Sequence, residues 1–86
     1  MRSIGFSQKA FNDYYIWSVR DKKIFKRISE LITEVTRDPF KGTGKPEPLK
    51  NQFKGLWSRR ITDEHRLVYE VNNDEIFIVS CEGHYT

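Results

Sequence analysis

A glutamate between two prolines and a histidine near the C-terminus are the side chains best suited to acid–base chemistry. Glu47 lies between Pro46 and Pro48, and each proline restricts the local backbone. Its carboxylate is either an exposed loop acid or a general base held in one orientation. His84 is either a solvated tail residue or a proton donor, since an unperturbed imidazole titrates near ~6.5.

Two arginines in the stretch Trp57–Val71 offer positive charge for an anion. Two alternating runs flank a polar break at residues 62–65, which predicts a hairpin. Five apolar residues of these two runs are odd-numbered: Trp57, Ile61, Leu67, Tyr69 and Val71. If they share one buried face, opposed residues have an even sum, the loop has an odd length, and Arg60 and Arg66 lie together on the other face. Opposed like charges cost up to ~1 kcal/mol, so either a phosphate belongs between them or the face is simply solvated.

Three further side chains also carry polar or reactive groups. His65, at the hairpin break, is expected to be structural or solvated. Tyr85 either contacts a base or phosphate, or packs over the sheet edge. Cys81 is the single cysteine, and its apolar surroundings in the sequence predict a buried, inert thiol. The histidine and cysteine spacing does not favour zinc, and the Gly-Thr-Gly-Lys stretch lacks P-loop spacing, so no cofactor is expected.

The charge of the chain is concentrated in its middle. The formal net charge is +3 and the pI is about 9.1. Residues 41–66 hold seven Lys and Arg but three Asp and Glu, which favours nucleic acid or another polyanion as partner. No apolar run approaches a membrane span and no secretory signal is visible, so we expect a cytoplasmic protein.

An acid, a histidine and clustered arginines together suit metal-free cleavage of RNA. A base removes the ribose 2′-OH proton, the oxygen attacks the adjacent phosphorus, and an acid protonates the leaving 5′-oxygen. DNA cannot react in this way because it lacks the 2′-OH. This chemistry would leave a 2′,3′-cyclic phosphate.

The first half of the chain predicts a strand and two helices. A short strand is expected at Arg2–Phe6, followed by a helix over Gln8–Val19 capped by Ser7. Asp21 predicts a second cap, and a longer helix runs from Lys22 to the Asp38-Pro39 break. The expected buried stripes are Ala10, Phe11, Tyr14 and Trp17 on the first helix, and Ile24, Ile28, Leu31, Ile32 and Val35 on the second.

The second half predicts a loop and three strands. The loop covers Phe40–Lys50, the hairpin follows, a turn is expected at residues 72–74, and a last strand covers Glu75–Cys81. The order β-α-α-β-β-β indicates a single α+β domain over residues 1–86, with the helix pair packed on one face of an antiparallel sheet.

Three segments together resemble the YoeB toxins of the RelE superfamily, nearly over the full length. They are DPFKGTGKPEPLK at 38–50, WSRRITDEHRLVY at 57–69, and the near-terminal pair His84-Tyr85. The resemblance implies a compact RelE-like fold and a toxin of a type II toxin–antitoxin pair. It also implies endonuclease cleavage of mRNA in the A site of a translating ribosome, neutralisation by a YefM-like antitoxin, and a toxin homodimer.

The resemblance also implies roles for individual residues. Glu47 matches the general base, His84 the general acid and Arg66 the arginine that stabilises the phosphate. The matching substrate-binding residues are Lys50, Arg60 and Tyr85. The tail departs from the usual pattern, because Glu82 and Gly83 replace a basic and then a bulky residue, and Thr86 follows the tyrosine.

Two other functions remain open from the sequence. A non-catalytic basic module would bind RNA or the ribosome in a salt-sensitive way that survives loss of Glu47 and His84. A RelE-fold toxin with a protein target, such as gyrase, would need neither an acid nor a base.

Overall fold

The computed structural model describes residues 1–84, which form two helices packed against a five-stranded sheet. The elements are β1 Ser3–Phe6, α1 Gln8–Arg20, α2 Lys22–Arg37, β2 Glu47–Pro48, a 3₁₀ turn Asn51–Phe53, β3 Leu56–Arg60, β4 Arg66–Val71 and β5 Glu75–Ser80. The predicted α+β class, with a helix pair on one face of the sheet, is confirmed. Neither helix in this part of the chain has the length and hydrophobicity of a membrane span.

Both predicted helix caps are present. The Ser7 hydroxyl accepts a hydrogen bond from the Ala10 N–H at 3.0 Å. One Asp21 carboxylate oxygen accepts from the backbone of Lys23 and Ile24 at 3.1 and 3.2 Å. Because Asp21 has an extended backbone, it ends α1 and starts α2 at a single residue, which fixes a tight turn between the helices.

The apolar stripe of α2 faces the sheet as predicted. Its central residues Ile28, Leu31 and Val35 are almost fully buried and join strand residues in one core. The prediction for α1 is wrong at Phe11, whose side chain is 59% exposed. Ala10 and Trp17 lie seven residues apart on the buried side, and Phe11 is rotated about 100° from Ala10 on a 3.6-residue helix.

The strand order in the sheet is β1-β5-β4-β3-β2. Three of the four pairings are antiparallel, but β1 pairs with β5 in parallel, so the sheet is mixed. The predicted loop over Phe40–Lys50 also contains β2, a strand of two residues that is too short for a sequence pattern to reveal. Pro48 has no N–H to donate, and its place on the edge strand accommodates that loss.

The predicted hairpin register is confirmed. Arg60 pairs with Arg66 across β3 and β4, and Trp57 pairs with Tyr69. The five residues 61–65 connect the strands, so the loop has the odd length that the register requires. Leu67 and Tyr69 consequently face the helices in the core, while Arg60 and Arg66 lie on the opposite face of the sheet.

Candidate active site

An open cleft of about 320 Å³ lies where β2, β3 and β4 meet the C-terminal tail. It brings together five of the six site residues that the sequence predicts. Its lining residues are Glu47, Pro48, Leu49, Lys50, Asn51, Ser58, Arg60, Arg66 and His84. Tyr85, the sixth, lies outside the described residues.

Glu47 is positioned by the pairing of β2 with β3. It lies opposite Ser58, and the Leu49 N–H donates to the Leu56 carbonyl at 2.9 Å one step further along. Because Ser58 and Arg60 are two residues apart on one strand, their side chains point to the same face as that of Glu47. The exposed Glu47 side chain therefore lies beside the arginine face, where solvent reaches it.

The Arg66 guanidinium is anchored by one of its two terminal nitrogens. Nη1 donates to the carbonyls of Thr62, Asp63 and His65 at 2.7, 3.1 and 3.2 Å. Its Nε and Nη2 make no hydrogen bond to any of residues 1–84. These two nitrogens form the fork that suits bidentate contact with a phosphate.

Arg60 is held by its backbone. Its N–H donates to the Gly44 carbonyl at 2.7 Å, and its carbonyl accepts from the Arg27 guanidinium at 3.1 Å. The Arg60 side chain is exposed, and within the described chain its guanidinium has no hydrogen-bond partner. Together with Lys50 and Arg66, it gives the described lining of the cleft three cations, beside the carboxylate of Glu47.

The tail that carries His84 is hydrogen-bonded to the rest of the domain at Cys81 and again at Gly83. The Trp17 indole Nε1 donates to the Cys81 carbonyl at 2.9 Å, and the Cys81 N–H donates to Asp13 at 3.1 Å. Two residues later, the Arg66 N–H donates to the Gly83 carbonyl at 2.9 Å. His84 follows directly and lies exposed at the cleft.

Glu82, one of the unusual tail residues, faces away from this cleft. Its carboxylate lies 3.6 Å from the Lys9 ammonium, on the α1 side of the tail. It lines a separate groove with Asp13 and Trp17. The added negative charge is thus directed at α1 rather than at the cations of the cleft.

Arg59 is a residue whose importance the sequence analysis missed. Its side chain is completely buried beneath the loop that leads to Glu47. All five guanidinium N–H groups are used: one donates to the Tyr69 hydroxyl at 3.2 Å and one to Glu34 at 2.7 Å. The other three donate to the backbone carbonyls of Asp38, Lys41 and Thr43 at 2.6, 2.7 and 3.2 Å.

A sequence signal for this role existed. Residue 59 is odd-numbered, so the register that predicts a buried face for Trp57 and Ile61 also directs Arg59 inwards. A buried arginine needs partners for all its donors, and the loop carbonyls supply three of them. Arg59 therefore fixes the start of the loop, and the Arg60 N–H fixes its later part through Gly44.

Glu34 completes the same network from α2. Its Oε1 accepts from the Thr43 N–H as well as from Arg59. The Thr43 N–H has the largest effect and lowers the pKa of Glu34 below its ordinary value of 4.5; burial opposes this shift, and the Arg59 guanidinium lowers the pKa further. The loop before Glu47 is thus hydrogen-bonded to Glu34 of α2 and to Arg59 of β3, and these two residues form an ion pair with each other.

A carboxylate, an imidazole and three cations around one open cleft can perform acid–base chemistry on a phosphodiester. Among residues 1–84, no three His, Cys, Asp or Glu side chains form a group that would hold a metal ion. A wider groove of about 430 Å³ runs along α2, but its lining of Lys26, Ser29, Glu30, Thr33, Glu34 and Arg37 includes neither a histidine nor the predicted site residues.

Comparison with known proteins identifies the family. The sequence model of the family described as "YoeB-like toxin of bacterial type II toxin-antitoxin system" matches residues 6–85. Toxin YoeB of Escherichia coli K12 is 52% identical over 80 residues, which cover 93% of this chain and 95% of that protein. The YoeB dimer from Staphylococcus aureus superimposes with a TM-score of 0.91 at 47% identity and 98% coverage of both chains. The heterotetrameric YoeB–YefM complex from Staphylococcus aureus gives a TM-score of 0.89 at 46% identity and 99% coverage of both chains.

The resemblance seen in the three sequence segments is therefore confirmed by sequence and by structure. It extends over almost the whole chain and includes the strands and the loop that surround the cleft. The chain belongs to the YoeB-like toxins of bacterial type II toxin–antitoxin systems.

Proposed function

We propose that this toxin is a metal-independent endoribonuclease that cuts mRNA in the A site of a translating ribosome. The observation that carries the proposal is the single cleft lined by Glu47, Arg66 and His84, with Lys50 and Arg60 beside them. Membership of the YoeB-like family supports it, because the same residues match the roles that the resemblance implies. The proposal places the activity in the cytoplasm, where ribosomes and message are found.

The reaction needs one base and one acid. Glu47 accepts the proton of a ribose 2′-OH, and the 2′-oxygen forms a bond to the adjacent phosphorus. The bond between phosphorus and the 5′-oxygen breaks, and protonated His84 donates its proton to that leaving oxygen. The products are a 2′,3′-cyclic phosphate on one fragment and a 5′-hydroxyl on the other.

The cations of the cleft stabilise the transition state. Negative charge builds up on the non-bridging oxygens as the 2′-oxygen attacks, and Arg66 presents Nε and Nη2 toward an anion. Arg60 and Lys50 add two further charges and bind the flanking phosphates. The cleft is open, so the ribosome is needed to hold the message in the reactive conformation.

The decisive experiment is a cleavage assay on a defined message, with and without programmed ribosomes, using the parent and the Glu47→Ala and His84→Ala variants. We expect cutting only on ribosomes, unchanged by EDTA, with a cyclic phosphate at the mapped 3′ end. Each substitution should slow single-turnover cleavage by roughly 10²- to 10⁴-fold, which is the usual contribution of a general acid or base.

Two exposed residues outside the cleft lining provide matched controls. Glu70→Ala removes a carboxylate from β4, and Lys54→Ala removes a lysine four residues after Lys50. Both variants should cleave at the parental rate. Parental cleavage by Glu47→Ala would refute the assigned base. Ribosome binding without any cleavage by the parent would favour the non-catalytic binding module.

The partners belong to the same proposal. YoeB from Staphylococcus aureus is known both as a dimer and in a complex with YefM, and it superimposes closely on this chain. We therefore expect a homodimer in solution and neutralisation by a YefM-like antitoxin. Light scattering of the purified toxin tests the first expectation, and loss of ribosome-dependent cleavage on adding the antitoxin tests the second.

A further inference from the structure

The tail residue just before His84 is clamped on both of its backbone polar groups. The Gly83 N–H donates to Nδ1 of His65 at 3.0 Å. The Gly83 carbonyl accepts from the N–H of Arg66 at 2.9 Å. The last residue of the hairpin loop, His65, and the first residue of β4, Arg66, thus hold a single residue of the tail.

The His65 ring is well placed to act as this clamp. Only 14% of its side chain is exposed, and its ring packs edge-on against Trp17 at 4.9 Å between centroids. Because a backbone N–H can only donate, Nδ1 must be unprotonated and the ring proton of the neutral form lies on Nε2. Nε2 lies 3.8 Å from the carboxylate of Glu64, which is 83% exposed.

Gly83 suits this two-sided attachment through its backbone. Its φ of +87° lies in the left-handed region that glycine adopts without steric cost. With this conformation, the N–H and the carbonyl of Gly83 both bond to the hairpin. The glycine that replaces the usual bulky residue is therefore fixed in place, and His84 extends from a fixed point.

We propose that His65 is a positioning residue that holds His84 in the cleft through the backbone of Gly83. The inference rests on the proposed function, in which His84 protonates the leaving oxygen. His65 does not touch the substrate. It joins the tail that carries the acid to the strand that carries Arg66, so that both act on the same phosphodiester.

Two substitutions separate the hydrogen bond from the packing. His65→Phe keeps an aromatic ring against Trp17 but removes the acceptor for the Gly83 N–H. His65→Asn loses the ring but keeps an acceptor, since its side-chain oxygen occupies the position of Nδ1. Glu64→Gln is the control for the weak contact at Nε2, and it leaves the clamp intact.

The first measurement is single-turnover cleavage on programmed ribosomes. We expect His65→Phe to lower the maximal rate by about ten- to a hundredfold, because a small displacement of a reacting group has an effect of that size. The ribosome concentration at half-maximal rate should stay near the parental value, since Arg60 and Lys50 are unchanged. His65→Asn should restore most of the rate, and Glu64→Gln should match the parent.

The second measurement needs no cleavage. ¹⁵N relaxation and amide hydrogen exchange of the free protein report the order of Gly83 and His84. We expect both amides to become more mobile, and the Gly83 amide to exchange faster, in His65→Phe but not in His65→Asn. Thermal unfolding of each variant verifies that it is folded under the assay conditions.

The outcomes distinguish this inference from the proposed function. If the parent cleaves and His65→Phe cleaves equally fast, the inference is wrong while the function stands. If the parent does not cleave but the tail loosens in His65→Phe, the proposed function fails and the clamp on the tail is supported. An unprotected Gly83 amide in the parent would overturn the clamp itself.

Discussion

Arg60 lies directly opposite Arg66 across the β3–β4 hairpin, with its guanidinium exposed at the cleft. Two like charges at opposed positions destabilise a strand pair by a few tenths to ~1 kcal/mol. The backbone bonds of Arg60 to Gly44 and Arg27 do not depend on its side chain. The opposed arginines thus lower the stability of the fold slightly and form a positively charged site that attracts an anion.

Replacing one of these charges should therefore have opposite effects on stability and on binding. We expect Arg60→Gln to raise the free energy of unfolding by up to ~1 kcal/mol, because it removes the repulsion with Arg66. The same variant should bind single-stranded RNA more weakly, with a salt dependence reduced by about 0.7 in log–log slope. Urea denaturation and a salt titration of RNA binding measure the two effects. A variant that is less stable than the parent would contradict the repulsion argument.

The hairpin shows what could be predicted from the sequence and why. Five of its apolar residues are odd-numbered, so only an even-sum register buries all five on one face, and such a register also brings the two arginines together on the other face. The helix caps and the buried face of α2 were predictable for the same reason, since each depends on a local pattern. β2 was not predictable, because a two-residue strand is defined by its partner rather than by its own sequence.

The tail and the buried thiol depend on contacts between distant segments. The sequence predicts an inert Cys81, and the structure places its side chain in the core, fully buried. The clamp of Gly83 by His65 joins residues 18 positions apart, and no pattern in either segment indicates it. Such contacts are visible only once the sheet has brought the segments together.

The Cys81 thiol should react very slowly in the native protein. Burial, and after it the charge of Asp13, raises the pKa of Cys81 to about 12, so almost no thiolate exists at neutral pH. We expect alkylation by iodoacetamide at pH 8 to be at least about a hundredfold slower in the folded protein than in urea, as followed by mass spectrometry. Equal rates in both conditions would contradict a buried thiol.

Arg59 and Arg60 are adjacent in sequence but have opposite environments, which makes them a matched pair for a test of burial. Arg59 is fully buried with five hydrogen bonds, whereas the side chain of Arg60 is exposed. We expect Arg59→Met to lower the free energy of unfolding by roughly 3 kcal/mol or more, since it leaves Glu34 and three part-buried loop carbonyls without their donor. Arg60→Met should change it by less than about 1 kcal/mol.

Arg59→Met should also loosen the loop that leads to Glu47. Hydrogen exchange over residues 38–46 should become faster in Arg59→Met and stay parental in Arg60→Met. Arg59→Lys should not restore the loop, because an ammonium cannot reproduce the planar fork that reaches several carbonyls at once. If Arg59→Met and Arg60→Met unfold at the same urea concentration, the loop does not depend on the buried guanidinium.

Glu34 gives this network a dependence on pH whose sign can be worked out. Because the Thr43 N–H and Arg59 lower its pKa in the folded state, ionised Glu34 stabilises the fold above its ordinary value of 4.5, and this stabilisation is lost as the pH falls below that value. Glu34→Gln keeps an acceptor oxygen but has no charge to lose. The difference in unfolding free energy between the parent and Glu34→Gln should therefore be greatest at pH 6 to 7 and should shrink toward pH 3, as measured by urea denaturation across that range. A difference that grows on acidification would show that the charge of Glu34 does not stabilise the loop.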